Sequence, residues 1–162
     1  MSKSRQVVTR RAFAAGSLAT VAALGASPLL ALQSPATMGK PVGADVEAAN
    51  LKVVDAFCAA FKKKDMDTIA SLLADDCTYR LLQNRPPVVG KAAVVETIKG
   101  FVARGIEFKV LKSVVLGPVV LNERDDIVAA AAGQPAMTIR VNTGMFYVQH
   151  GKIVEWTDYV LP

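Results

Sequence analysis

The chain has 162 residues, of which 52% are hydrophobic and 20% charged, with 19 Lys and Arg against 14 Asp and Glu. This length predicts one domain rather than two. Four of the basic residues lie in residues 1–36, which have no acidic residue, so the remaining chain carries 15 basic and 14 acidic residues. Because that part is nearly neutral and has no basic stripe with interleaved aromatic residues, we expect no binding to nucleic acid.

The few cysteine and histidine residues limit metal chemistry. A structural zinc site needs about four such ligands, and the chain offers only Cys58, Cys77 and His150. This count leaves carboxylate-bound metals open, but no loop has the alternating Asp or Asn spacing of a calcium site. We predict no metal and no cofactor. Each cysteine is predicted to be a buried apolar residue, with a disulfide as the alternative, and His150 a solvated turn residue.

Residues 1–36 are predicted to be an export signal, because a basic start precedes an uncharged stretch rich in Ala and Leu. Within it, Thr-Arg-Arg-Ala-Phe at 9–13 resembles the twin-arginine signal of bacteria. The resemblance implies the twin-arginine export machinery as a partner and a periplasmic or secreted protein. The alternative is a retained membrane anchor, which Gly16, Gly25 and Pro28 weaken. Residues 37–44 are predicted to be a linker, and 45–162 the folded domain.

The first half of that domain has helical periodicity. A first helix is predicted to begin at Asp45 as its cap and to end at Lys62–Lys64, where cations suit the helix dipole. Asp65 is placed to cap a short second helix. The next predicted elements are a strand at Thr78–Leu82 and a helix at Lys91–Arg104, which Gly105 ends.

The period then changes to that of strands. The predicted strands are Glu107–Leu116, Val119–Ala130, Ala136–Gln149 and Lys152–Leu161. Helices followed by an antiparallel meander predict an α+β fold. In this fold a curved antiparallel or mixed sheet wraps around the N-terminal helices and encloses an apolar pocket.

Some strands carry charge on a face that should be buried. Alternation places Asn122, Arg124 and Asp126 on one face between valines. It leaves Glu123 and Asp125 on the other face, where we expect them to be solvated. The alternative is that the charged residues of the first face form a structural ion pair or lie on a wet outer face of the sheet.

Two further strands add polar side chains. Trp156 and Asp158 share a face of the last strand, and Tyr79 and Leu81 share a face of the first. If these faces line the pocket together with the face of Arg124, the pocket holds two carboxylates, one guanidinium and one phenol.

The sequences Arg-Asp-Asp at 124–126 and Trp-Thr-Asp-Tyr at 156–159 resemble the Arg-x-Asp and Trp-x-Asp-Tyr motifs of the limonene-1,2-epoxide hydrolase family. Tyr79 also lies where that family has its strand-one tyrosine. The resemblance covers most of residues 45–161. It implies a conical fold of the cystatin-like or nuclear-transport-factor-like type. It further implies cofactor-free attack of water on a small, apolar, terpene-like epoxide, giving a vicinal diol.

By position, the resemblance implies that Asp158 is the base, Asp126 the acid and Arg124 their bridge, while Tyr79 holds the water. The family's Tyr-x-Asn pair is incomplete, because Leu81 occupies the Asn position. Asn122, Asn142 or another polar group is then needed to hold the water, unless the pocket no longer hydrolyses epoxides. Substrate contacts are expected from Leu81, Trp156 and Asn122.

An acid and a base made from two aspartates require one proton to be shared between them, since the unperturbed pKa of Asp is about 3.9. Two other functions remain open. One is a steroid isomerase or polyketide cyclase of the same architecture, in which a buried carboxylate acts as a base at carbon. The other is a non-catalytic pocket for an apolar ligand, for which a homodimer packed through the outer sheet face is conceivable.

Overall fold

The computed structural model describes Val7–Val8 and residues 43–160. The predicted leader and linker therefore lie outside the described residues except for Val7–Val8 and residues 43–44. Within the described ranges, no helix is long and apolar enough to cross a membrane.

The described residues form three helices, the third of which follows two strands in the chain. The helices are α1 (Ala44–Lys63), α2 (Met66–Leu72) and α3 (Lys91–Arg104). The Thr68 N–H donates to Asp65 Oδ1 at 2.9 Å, so Asp65 caps α2 as expected. Gly105 ends α3 in the left-handed conformation at φ 75°. The predicted cap of α1 is wrong, because the cap position is Gly43 and Asp45 lies in the first turn, where an acid favours the dipole.

Seven strands form one mixed sheet. They are β1 (Val7–Val8), β2 (Leu73–Arg80), β3 (Val88–Val89), β4 (Ile106–Leu116), β5 (Val119–Val128), β6 (Met137–Gln149) and β7 (Lys152–Tyr159), in the spatial order β1-β4-β5-β6-β7-β2-β3. The pairs from β4 to β7 are antiparallel, whereas β2 joins β7 in parallel. Register shifts in each of these four pairings bend the sheet.

The concave face of this sheet packs on α1 through aromatic side chains. Phe57 of α1 meets Trp156 of β7 edge-on with ring centroids 5.3 Å apart, and Phe61 meets Phe108 of β4 at 4.5 Å. The start of α1 also holds the β4–β5 turn, since Glu47 Oε1 accepts from the Gly117 N–H at 2.8 Å. The predicted α+β class, with a curved sheet wrapped around the N-terminal helices, is therefore confirmed.

The predicted strand at Thr78–Leu82 needs a correction. The strand β2 begins at Leu73 and ends at Arg80, so Leu81 follows the strand instead of lying in it. After β2 the chain makes bends and turns up to the Arg85-Pro86-Pro87 segment, which leaves Leu81 43% exposed. Tyr79 remains in the strand, buried at 2% exposure and paired with Trp156.

Candidate functional site

The centre of the site is the guanidinium of Arg124, which is 0% exposed. Its Nε donates to Asp126 Oδ1 at 2.7 Å, and its Nη2 donates to Asp158 Oδ1 at 2.7 Å. A longer contact of 3.5 Å joins Nη2 to Asp126 Oδ2. The two carboxylates are each 4% exposed, so one buried cation bridges two buried acids.

Three neighbours fix the position of Arg124. Asn122 Oδ1 accepts from Nη1 at 3.0 Å, and the guanidinium carbon lies 4.3 Å from the ring centroid of Phe108. Gly144 faces Asn122 across β5 and β6. A Cβ at Gly144 would lie 2.0 Å from Arg124 Nη1, so the guanidinium occupies the space that any other side chain would take.

Asp158 is held by one of its two oxygens. Its Oδ1 accepts from Arg124 and from Trp156 Nε1, the latter at 2.8 Å. Among the described residues, no group hydrogen-bonds to Oδ2. The indole of Trp156 in turn stacks on the ring of Tyr79, with centroids 4.0 Å apart. Asp158 therefore has a fixed position and one oxygen available to a ligand.

Burial controls the protonation of these groups. Desolvation raises the pKa of Asp158 to about 6, against the opposing attraction of Arg124. Burial also raises the pKa of Tyr79, so its hydroxyl keeps its proton at neutral pH. For Arg124, burial acts to lower the pKa, but the two carboxylates outweigh it and raise the pKa. Arg124 is therefore always charged.

A cavity of about 120 Å³ lies above these groups. Its floor, as we define it, consists of Tyr79, Asp126, Asn142, Trp156 and Asp158, all of them buried. Its rim consists of the exposed residues Leu81, Arg104 and Met137. The rest of the wall is apolar. The arrangement can accept a small apolar molecule and present two carboxyl groups and a phenol to it.

Five of the predicted site residues line this cavity, but Arg124 and Asn122 do not. The guanidinium was predicted to lie in the pocket, and it lies instead behind the two carboxylates, fully buried. The carbonyl oxygen of Asn122 holds Arg124, and its amide donates to Cys58 Sγ at 3.5 Å, towards α1. Asn122 thus lies behind the guanidinium, and we reassign it from a substrate contact to a support. Leu81 does line the cavity, at the rim instead of on the floor.

Residues outside the site follow the predictions with one exception. His150 is exposed in its turn, and Cys58 and Cys77 are buried free thiols. Glu123 is exposed, as predicted. The prediction that Asp125 is solvated is wrong, because its side chain is buried at 8% exposure. In the described part of the chain, no three His, Cys, Asp or Glu side chains are grouped to hold a metal ion.

Sequence reasoning missed Phe108 and Gly144 as parts of the site, and it named Asn142 only as one of the groups that could hold the water, not as a partner of Asp126. Asn142 Nδ2 donates to Asp126 Oδ2 at 2.6 Å. A glycine inside a strand is a known sign of close approach, and Gly144 shares the even-numbered inner face of β6 with Asn142 and Phe146. Phe108 gave no signal beyond its place among apolar strand residues.

The model of the limonene-1,2-epoxide hydrolase catalytic domain matches residues 48–161. A solved LEH-like epoxide hydrolase from M. tuberculosis is 27% identical, with a TM-score of 0.64 over 71% of this chain and 84% of that chain. No curated protein sequence matches.

Two other solved structures share the fold at lower identity. An NTF2-like protein of unknown function from Mesorhizobium loti is 19% identical, with a TM-score of 0.60 over 74% of this chain and 97% of that chain. A candidate polyketide cyclase from Xanthomonas campestris is 21% identical, with a TM-score of 0.58 over 71% of this chain and 92% of that chain. These likenesses support the predicted nuclear-transport-factor-like fold.

Proposed function

The chain belongs to the limonene-1,2-epoxide hydrolase family, and on that premise we propose that it adds water to a small, apolar, terpene-like epoxide and releases a vicinal diol. The observation that carries this proposal is the pair of buried carboxyl groups, Asp126 and Asp158, bridged by Arg124 beneath an apolar cavity. The residues proposed to act need no cofactor for this reaction.

The proposed reaction is one concerted step. The carboxylate of Asp158 takes a proton from water as the water oxygen bonds to an epoxide carbon. The carbon–oxygen bond of the ring breaks, and the leaving oxygen takes the proton of Asp126. The diol is then complete, and a proton passes from Asp158 back to Asp126 through solvent to reset the site. Each proton transfer contributes about 10² to 10⁴ in rate.

The available oxygen of Asp158 supports its role as the base. Because Oδ1 is engaged by Arg124 and Trp156, Oδ2 is the atom that can accept from a water. A pKa of about 6 for Asp158 leaves it ionised at neutral pH. We expect activity to fall on the acidic side near pH 6, although the titration belongs to the pair of acids as a unit.

Tyr79 is proposed to hold the attacking water. Its ring is fixed by stacking on Trp156, and it lies on the cavity floor with Asp158. Because its pKa is raised by burial, it remains a phenol that can both donate to and accept from water.

The test is diol formation from a panel of small apolar epoxides, measured with the native protein and with Asp158→Asn and Asp126→Asn. Glu123→Gln is the matched control, since Glu123 lies on the same strand as Asp126 but is exposed. We expect turnover by the native protein and the control and a loss of at least about 10²-fold in each Asp variant. Unchanged turnover in either variant would contradict its assigned role.

A second candidate function is proton transfer at carbon, as in isomerases and polyketide cyclases. It is favoured by a carboxylate of raised pKa in an apolar cavity and by the shared fold with the candidate cyclase. This function would be identified by exchange of solvent deuterium into an enolisable ketone, without opening of any epoxide. Binding of epoxides without either reaction would instead indicate a ligand-binding protein.

Export through the twin-arginine pathway is a separate proposal, which rests on the sequence at 9–13. Expression of the full chain in a bacterium with this pathway should place the mature protein outside the cytoplasm. Replacement of Arg10 and Arg11 together by lysine should retain it inside. Equal distribution of both proteins would contradict the proposal.

A further inference from the structure

Asn142 lies on the cavity floor beside the proposed acid, Asp126. It is 3% exposed, and its Nδ2 donates to Asp126 Oδ2 at 2.6 Å. Asp126 Oδ1 is already taken by Arg124 Nε. Asn142 is thus the main partner of the second oxygen of Asp126, to which Arg124 adds only the contact of 3.5 Å.

A bulge in β6 brings Asn142 to this position. Arg124 pairs with Asn142, and Asp126 pairs with Ile139, so β6 advances three residues where β5 advances two. The extra residue lets both Ile139 and Asn142 line the cavity, despite their odd spacing. Without the bulge, strict alternation would turn either Ile139 or Asn142 away from the cavity. With it, the amide of Asn142 lies beside the carboxyl group of Asp126.

The carbonyl oxygen of the same amide has no partner. Among the described residues, two buried side-chain polar atoms lack a hydrogen bond, the hydroxyl of Ser113 and Oδ1 of Asn142. Only Asn142 belongs to the cavity wall. A buried acceptor without a partner costs free energy, and a hydroxyl of a molecule bound against Asn142 would supply the missing donor.

We propose that Asn142 is a positioning residue for the acid of this site. Its Nδ2 stabilises the carboxylate that Asp126 becomes as its proton passes to the epoxide oxygen, and its Oδ1 accepts a hydrogen bond from the hydroxyl formed there. This inference rests on the proposed epoxide hydrolysis. The stabilisation acts on charge that develops during the reaction, so it lowers the barrier more than it strengthens binding.

The charged and titratable groups around Asp126 come from several elements. They are Arg124 of β5, Asp158 of β7, Tyr79 of β2 and Arg104 of α3, with Cys58 of α1 behind Asn122. None of these is altered when Asn142 is replaced, so a fall in kcat without a matching change in KM would report the contact between Asn142 and Asp126.

The first test is Asn142→Leu, a replacement of similar size without polar atoms. We expect kcat to fall about 10- to 100-fold, while KM for an apolar epoxide changes less than about 3-fold. Thr143→Val, on the adjacent and outward position of β6, is the control and should leave both quantities unchanged.

Asn142→Asp is the second test, and it keeps the size and polarity of the side chain. An ionised carboxyl group at this position is an acceptor only, so it cannot donate to Asp126 Oδ2. We expect kcat to fall at least as far as in Asn142→Leu, with KM again changed less than about 3-fold. A side chain with only a structural role would raise KM or lower the yield of folded protein together with kcat.

The outcomes separate this inference from the proposed function. If the native protein turns over no epoxide, the proposed function fails first, and this inference with it. If the native protein is active and both Asn142 variants keep its kcat, only the role of Asn142 is overturned.

Discussion

The floor and the rim of the cavity differ in burial and in hydrogen bonding. On the floor, Arg124 makes three hydrogen bonds of 2.7 to 3.0 Å to Asn122, Asp126 and Asp158, and it is fully buried. At the rim, Leu81 and Met137 are 43% and 50% exposed. The floor is therefore fixed before any ligand arrives, whereas the rim can adapt. We infer that the floor determines the reaction and the rim the choice of substrate.

Burial of the charged floor residues and of Arg124 also costs folding free energy. Two carboxyl groups and a guanidinium are removed from water, and such buried ionic groups commonly add no net stability compared with apolar packing. Removal of one partner is worse, at about 3–5 kcal/mol, because the remaining charge is left buried. Because such buried ionic groups commonly add no net stability, the stability of the fold does not explain them. Their place beneath an apolar cavity favours a catalytic role.

The largest effect is expected where the floor has no spare space. Gly144→Ala places a Cβ 2.0 Å from Arg124 Nη1 and 2.7 Å from Asn122 Oδ1. The guanidinium must move away from the carboxylates. We expect a loss of about 3–5 kcal/mol in unfolding free energy, measured with urea, and a fall of at least about 10²-fold in turnover.

The control for that variant is Gly100→Ala in α3. No atom lies within 4 Å of the added Cβ there. Because alanine is the better helix former, the free energy of unfolding should rise by about 0.5–1 kcal/mol, with turnover unchanged. If Gly144→Ala behaves like Gly100→Ala, Arg124 is not held in the position described.

The next effect concerns the pH dependence of stability. Desolvation raises the pKa of Asp158 in the folded chain to about 6, from an ordinary value of 3.8. Between about pH 4 and pH 6 the folded chain therefore binds more protons at this site than the unfolded chain, and stability falls as pH rises. The full contribution is about 3 kcal/mol, from about 1.4 kcal/mol per pKa unit.

Urea unfolding at several pH values, compared between the native protein and Asp158→Asn, isolates this term. Other acids, such as Asp65 and Asp75, have lowered pKa values and act in the opposite sense, but they are present in both proteins. The difference in stability between the two should change across pH 4–6. A constant difference would mean that Asp158 is not desolvated.

A smaller effect is expected for the group proposed to hold the water. Tyr79→Phe removes only the hydroxyl and keeps the stacking on Trp156. We expect kcat to fall about 10- to 100-fold, with the stability little changed. Tyr159→Phe is the control, since Tyr159 is 40% exposed. Equal rates in the two variants would exclude Tyr79 from the reaction.

The smallest effect is expected at the rim. Leu81→Asn supplies the amide that the family has at this position, but the side chain is exposed and lies beyond the end of β2. We expect kcat to change less than about 3-fold, with the main effect on KM through lost apolar contact. A large rise in kcat would show that Leu81 belongs functionally to the floor.

Much of the fold was predictable because its signals are local. The ends of α3 at Lys91 and Arg104 follow from helical spacing and from Gly105, and the cap of α2 from Asp65. Alternation placed Arg124 and Asp126 on one buried face of β5. The cap of α1 was mistaken because Asp45 suits the first turn as well as the cap position.

The rest of the site depends on pairings that no local signal encodes. The bulge in β6 sets which residues lie beside Asp126, so Asn142 and Ile139 both reach the cavity. Register between β4 and β5 places Phe108 opposite Asp126, and close approach across β5 and β6 requires Gly144. Such contacts are fixed by non-local register instead of propensity.

The central claim is that water held at Asp158 attacks the epoxide directly. It is tested by a single turnover in water enriched in oxygen-18, with the protein in excess over an epoxide that it hydrolyses. We expect one labelled oxygen in the diol of the first turnover and no label in the protein. An unlabelled first diol, with label later found in an aspartate carboxyl group, would contradict it, because the carboxylate itself would then be the nucleophile.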